Sequence, residues 1–158
     1  MQNKETITHF YTAFQHLDAA GMRSCYHPEA VFLDPVFGML QGDQIGSMWQ
    51  MLCKTATDFT LEFNNIQELD EEYCTTDWIA KYRFRATGRP VINKVRAYMR
   101  LADGLIIEHS DAFGFYTWSR QALGIPGWLF GWSNFMQSRV RRQALKNLTR
   151  FQQAATAA

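Results

Sequence analysis

Three ionisable side chains carry the chemistry this sequence could do: Asp34, His109 and Asp111. Asp34 is the one carboxylate in the apolar run Val31 to Phe37. Alternation along a strand puts Phe32 and Asp34 on one face, and Val31 and Leu33 on the other. Pro35 has no amide hydrogen to give a ladder, so the strand should end there. Asp34 is then either a turn-former, since Asp-Pro commonly opens a turn, or a buried acid. His109 and Asp111 lie two apart in the run Leu105 to Phe115, on one face with Leu105, Ile107 and Phe113. A buried carboxylate beside an imidazole is a general acid–base pair where water or substrate can reach it. Otherwise it is a polar pair in the core, with His109 held by a backbone carbonyl. Three ionisable groups in one interior are costly without a use. As metal ligands they would form a two-carboxylate, one-histidine set, but no spacing demands one, so neither metal nor cofactor is expected.

Helical and strand periods supply the elements that must position these groups. Ile7, Phe10, Phe14 and Leu17 recur at helical spacing over Glu5 to Leu17, with Tyr11 beside them. A short second helix over Ala20 to Tyr26 carries Met22 and Cys25 inward, and His27-Pro28-Glu29 reads as a turn. After the Asp34 strand, Gly38 to Gly42 reads as a loop, with Asp43 as cap of a helix over Gln44 to Thr55. Period two takes over at Phe59, Leu61 and Phe63. Tyr73 to Ala86 presents Trp78, Ala80, Tyr82 and Phe84 on one face. Val91 to Ala102 turns Val95, Ala97, Met99 and Leu101 inward, and Asp103-Gly104 signals a hairpin into the last strand. Helices mixed with one early strand, then long antiparallel strands, make an α+β fold with helices on one face of a curved sheet.

The tail, from Tyr116, holds a helical stripe of Trp132, Phe135, Met136, Val140, Ala144, Leu148 and Phe151, predicting one helix from Trp128 to Gln153 bent back at Gly124 to Gly127. Its arginines sit mostly on the flanks; they suit either an anionic partner or a solvated face, and the neutral net charge favours the solvated face. The segment Gly127 to Trp132 is too apolar for a free surface. It closes the pocket mouth or packs on a second subunit, with peripheral membrane contact placed third.

Bulk properties exclude several classes. The chain has 158 residues, 47% hydrophobic and 20% charged, which suits one globular domain with a real core. A net charge of +1 argues for neither nucleic acid nor a membrane surface. No stretch approaches membrane-spanning length and no signal peptide opens the chain, so a cytoplasmic location is expected. Cys25, Cys53 and Cys74 are odd in number and far apart, and read as reduced, mostly buried thiols.

The order of elements and the residues together resemble the nuclear transport factor 2-like superfamily, which includes SnoaL-like polyketide cyclases and ketosteroid isomerase. Thr8 to Pro35, with Phe10 to Phe14, Asp18, Tyr26, Glu29, Ala30 and Asp34-Pro35-Val36, runs without a gap against ketosteroid isomerase. The helix and the Asp103-Gly104 hairpin follow in the expected order. The resemblance covers about Glu5 to Phe115. It implies a cone-shaped fold, a curved antiparallel sheet wrapped around N-terminal helices with an open pocket, and homodimers. It divides the chain into a cone domain, 1–115, and a C-terminal helical extension, 116–158, on the cone or a partner subunit.

Asp34 falls at the position of the isomerase's proton-shuttling aspartate. The two oxyanion-hole positions fall on Phe10 and Ala97, and Tyr11, one place off, points about 100° away on a helix. An enolate would lack both donors, which argues against the steroid isomerisation scheme. Phe10, Phe32, Trp49, Trp78, Tyr82 and Phe113 either line the cavity or are ordinary core, and Tyr11, Ala97 and Met99 complete the expected pocket. The superfamily hosts isomerases, cyclases, epoxide hydrolases, dehydratases and proteins without chemistry. The expectation is a protein that binds a small, largely apolar molecule. As an enzyme it would use Asp34 as base, His109 as acid or water orienter and Asp111 as the histidine's partner. The alternative is a non-catalytic ligand-binding or dimerisation module.

Overall fold

The computed structural model describes residues 2–157. Helix α1 (Gln2–Gln15) buries Ile7, Phe10, Tyr11, Ala13 and Phe14. Asp18 caps α2 (Ala19–Ser24) by accepting the Gly21 amide at 3.0 Å. Strand β1 (Tyr26–Asp34) follows at once, so Tyr26 opens a strand and does not close a helix. Pro28 lies inside β1, where a turn was expected. The register against the neighbouring strand shifts between Tyr26 and Val31, and a proline is tolerated at such an irregularity.

The expected loop after Asp34 contains a short strand, β2 (Gly38–Gln41), antiparallel to β1 from Val31↔Gln41 to Asp34↔Gly38. Gly38 has φ +70°, a left-handed conformation open to glycine at little cost. Helix α3 (Asp43–Thr55) is capped by Gly42 and not by Asp43, whose carboxylate instead meets Arg23 at 2.7 Å. Strands β3 (Thr60–Glu68), β4 (Tyr73–Arg83), β5 (Pro90–Ala102) and β6 (Leu105–Ala112) complete a curved, unclosed sheet of order β2-β1-β6-β5-β4-β3. Its neighbours are antiparallel except β1 and β6, which run parallel.

A bulge in β6 alters one expected face. Arg100 pairs with Glu108 but Leu101 pairs with Ile106, leaving Ile107 as the extra residue. Ile106 is therefore fully buried in the place expected for Ile107, while His109 and Asp111 keep their inward parity.

The tail is three helices: α4 (Phe115–Leu123), α5 (Ile125–Phe130) and α6 (Asn134–Ala157). The single helix expected from Trp128 breaks at Gly131, and Ser133 Oγ accepts the Met136 amide at 3.2 Å where α6 begins. The expected stripe does not stay on one buried face. Leu148 is buried, with Ala144 and Phe151 packed on the same core, and Val140 joins a smaller cluster around Val91, Trp118 and Ala122. Trp132 and Phe135 are exposed. Helix α6 also straps the turn after Asp34: Gln137 Nε2 and Arg141 Nη2 donate to the Pro35 carbonyl at 3.1 and 3.2 Å. Among the described residues no helix is long and apolar enough to cross a membrane.

Candidate functional site

Parallel pairing of β1 with β6 brings the three ionisable groups together. Phe32 lies opposite His109 and Leu33 opposite Ser110. One step further along both strands sets Asp34 beside Asp111. Asp111 then neighbours Ala97 on β5, and Ala97 neighbours Thr76 on β4.

His109 is buried and boxed by rings. Phe10 and Phe32 meet it edge-on at 5.7 and 5.1 Å between centroids, and Tyr26 and Trp49 stack on it at 6.0 and 6.3 Å. Its Nδ1 lies 2.6 Å from the Tyr26 hydroxyl, and its Nε2 lies 2.9 Å from Asp111 Oδ1. Trp49 Nε1 donates to the Tyr26 oxygen at 3.1 Å. That leaves the Tyr26 proton to point at Nδ1. Nε2 then carries the ring hydrogen and donates to Asp111, where Trp78 Nε1 also donates at 3.4 Å. Every link of this relay has a donor and an acceptor, as buried polar groups require. Burial holds the Tyr26 phenol well above its ordinary range, with the Asp111 and Cys25 charges adding and the Trp49 hydrogen bond opposing. Tyr26 therefore remains a proton donor.

Asp34 does two things. Its Oδ1 accepts the amides of Val36 and Phe37 at 2.9 and 2.6 Å, which is the turn-forming role. Among the described residues nothing else bonds its carboxyl, so Oδ2 is free. Part of the residue reaches solvent, yet protein surrounds the carboxyl. Burial is the largest cause pushing Asp34 up to about 7. The nearby Asp111 charge adds, while the Phe37 and Val36 amides and His109 oppose.

The other expected pocket residues fall in two groups. Phe10, Tyr11, Phe32, Trp49, Trp78, Ala97 and Met99 are buried in the main core, and Tyr82 and Phe113 are half-buried. Tyr11 stacks on Phe63 at 5.4 Å, and its hydroxyl is buried without a partner. Burial and the Asp111 charge hold that phenol well above its ordinary range. The Thr76 hydroxyl is likewise buried and unpartnered. Two open concavities, of about 330 and 270 Å³, lie elsewhere, along the outer side of α6 and beside the N-terminal helix. Burial pushes the Cys25 and Cys53 thiols up to about 11, which disfavours thiolate chemistry. Among the described residues no three His, Cys, Asp or Glu side chains stand together as a metal-holding group.

Residues 7–109 match the SnoaL-like domain family. The chain belongs to that family. Solved structures agree on the fold. IdmH, a putative polyketide cyclase from Streptomyces antibioticus, is 23% identical, with a TM-score of 0.64 over 79% of this chain and 100% of that one. An LEH-like epoxide hydrolase from M. tuberculosis is 16% identical, with a TM-score of 0.65 over 77% and 90%. A protein of ketosteroid isomerase-like fold from Catenulispora acidiphila, crystallised with trimethylamine, is 13% identical, with a TM-score of 0.67 over 78% and 95%. Identities this low establish a shared fold and leave the chemistry to the site. No curated protein sequence matches.

The candidate site also holds Tyr26, which the sequence pattern does not single out. The helix expected over Ala20 to Tyr26 ends on it. Tyr26 shares the even positions of Asp34, Phe32 and Ala30, but exposed Pro28 and the register shift between Tyr26 and Val31 interrupt that alternation, so no local signal places it.

Proposed function

We propose that this SnoaL-like protein is an enzyme that moves protons on a small, largely apolar molecule, with Asp34 as general base. The observation that carries the proposal is the free oxygen of a carboxyl raised to about 7, beside a buried Tyr26–His109–Asp111 hydrogen-bond relay. A base is most effective when its pKa lies near the working pH. In the proposed step, Asp34 Oδ2 takes a proton from a carbon acid or from an attacking water and returns it in a second transfer. The aromatic surroundings suit an apolar substrate, which would approach past the half-buried Tyr82 and Phe113. Both nitrogens of His109 are engaged, so the histidine acts through Asp111, as a positioning residue, and not directly on a substrate. The Phe10 and Ala97 positions offer no oxyanion donor. The unpartnered Tyr11 hydroxyl, close enough to feel the Asp111 charge, is the donor available for developing negative charge. A homodimer and a cytoplasmic location belong to the same proposal. The outer sheet face, with Ile92 and Tyr98 about half exposed, is available for the dimer.

One observation favours a second reading, that of a non-catalytic binding module: the rings around His109 are packed on one another. Turnover of two probes separates the readings, a cyclic β,γ-unsaturated ketone for proton transfer and an apolar cyclic epoxide for water addition. Turnover of either that vanishes in Asp34→Asn supports the enzyme. Binding of both probes without turnover, unchanged in Asp34→Asn, supports the module.

A further inference from the structure

We propose that α5 and the start of α6 dock this protein on an anionic lipid surface. The proposal goes beyond the function above and does not depend on it. Three observations carry it.

The first is apolar exposure. Ile125, Trp128, Leu129, Phe130, Trp132 and Phe135 fall within eleven consecutive residues, and each is between 53% (Phe130) and 74% (Ile125) exposed. Scattered exposed apolar residues are ordinary, but a cluster of this size marks an interaction surface. The cluster sits on a rigid mount. A β-carbon on Gly127 would run into the Ser119 backbone, so glycine is what lets α5 lie close against α4. Tyr116 donates to the Trp128 carbonyl at 3.0 Å, and the Arg120 guanidinium lies between the Tyr116 and Trp128 rings, 4.7 and 4.5 Å from their centroids.

The second is charge segregation. Residues 112–158 contain Arg120, Arg139, Arg141, Arg142, Lys146 and Arg150, and no aspartate or glutamate. With the whole chain at +1, those six charges leave the first 111 residues at −5. The near-neutral total conceals a cationic tail on an acidic cone.

The third is placement. Arg139, Arg142, Gln143 and Lys146 follow Phe135 along the outer side of α6 and line an open concavity of about 330 Å³. Among the described residues none of these three cations is in an ion pair. Aromatic and leucine side chains leading into free cations are the pattern of a segment lying in the membrane interface, rings at headgroup depth and cations against lipid phosphate.

A second copy of the chain fits this face less well. A two-fold contact centred on this face would bring the cationic helix of one copy close to that of the other. An anionic bilayer opposes that charge with its own.

The test is flotation of the full-length protein with vesicles of phosphatidylcholine alone and of phosphatidylcholine mixed with phosphatidylserine. Binding to the mixed vesicles is expected to be at least roughly tenfold tighter, and to weaken with added salt. Leu129→Ser with Trp132→Ser should abolish binding to both. Arg139→Glu with Arg142→Glu should abolish the preference for phosphatidylserine. All four positions are exposed, so unchanged circular dichroism melting is the check that the variants fold. Equal binding to both vesicle types, or no binding to either, overturns the proposal. So does a wild-type dimer that ignores vesicles and becomes monomeric in the Leu129, Trp132 double variant, which would assign the face to a second copy.

Discussion

The Tyr26 hydroxyl lies 2.6 Å from Nδ1 of His109, tying the start of the first strand to the last strand across 83 positions of sequence. Trp49 donates to the same oxygen, so this hydroxyl also joins helix α3 to both strands. Asp111 is held by two donors on one oxygen, and its other oxygen has no protein partner among the described residues.

Replacing Tyr26 by Phe tests that relay. The change keeps the ring and its stacking on His109. It leaves the Trp49 indole hydrogen and His109 Nδ1 unpartnered in the core. Each orphaned group costs about 1–3 kcal/mol, so a loss of roughly 2 kcal/mol or more is expected in urea denaturation. A loss below about 0.5 kcal/mol would mean that the relay contributes nothing to stability.

Tyr11 behaves in the opposite way. Its hydroxyl is already buried without a partner, so Tyr11→Phe should be neutral or stabilising, by up to about 1–2 kcal/mol. If the hydroxyl serves a developing oxyanion, the same change lowers turnover while the melting temperature holds or rises. A drop in both together would show instead that the hydroxyl supports the fold. Thr76→Val removes the other inward orphan hydroxyl and should match Tyr11→Phe in stability.

The fold was largely legible because both periods were strong. Phe10 and Phe14 at helical spacing, and Trp78, Ala80, Ala97 and Met99 at strand spacing, all went where their periods sent them. What escaped was set by partners distant in sequence. Pro28 looks like a turn until the irregular pairing with β6 admits it to a strand. The four residues of β2, Gly38–Gln41, are too few to show a period. The bulge at Ile107 exists only against Arg100 and Leu101. The inward parity of Asp34, His109 and Asp111 could be read locally, but their convergence needed the parallel pairing of β1 with β6, which no local pattern announces. In the tail, Trp132 lies in the turn before α6, and Phe135, thirteen residues before Leu148, stands about 140° round the same helix and so faces away from the core. Net charge, being a sum, hid the segregation of cations after Asp111.

The raised Asp34 carboxyl makes stability depend on pH in a defined direction. Its folded pKa of about 7 stands above the ordinary 3.8, so between those values the folded state holds a proton that the unfolded state has lost. Stability from this group is full below about 4, falls as pH rises toward 7, and stays low above it. Asp34→Asn removes the ionisation but keeps an oxygen to accept the Val36 and Phe37 amides. The variant should therefore be more stable than wild type at pH 8, by about 1–3 kcal/mol, with the gap closing below pH 4. Denaturation at both pH values checks this. A constant difference would show that the carboxyl ionises at its ordinary value.

The last prediction separates the two sides of α6. Leu148 is 2% exposed and belongs to the main core, whereas Phe135 on the same helix is 66% exposed. Leu148→Ala should cost about 2–4 kcal/mol, the range for emptying a buried leucine site that only partly collapses. Phe135→Ala, although it removes the larger side chain, should cost less than about 0.5 kcal/mol. Ending the chain after Tyr116 removes Leu148 from the main core, and Trp118 and Ala122 from the cluster around Val91. It also releases the Pro35 carbonyl from Gln137 and Arg141. The truncated protein should aggregate or melt well below wild type, because an isolated helix of this length is marginal in water and its stability comes from the surface it covers. Melting curves of the two point variants and the truncation decide it. Equal losses for Leu148→Ala and Phe135→Ala, or a soluble truncation with an unchanged melting temperature, would mean that α6 is not held by its Leu148 side.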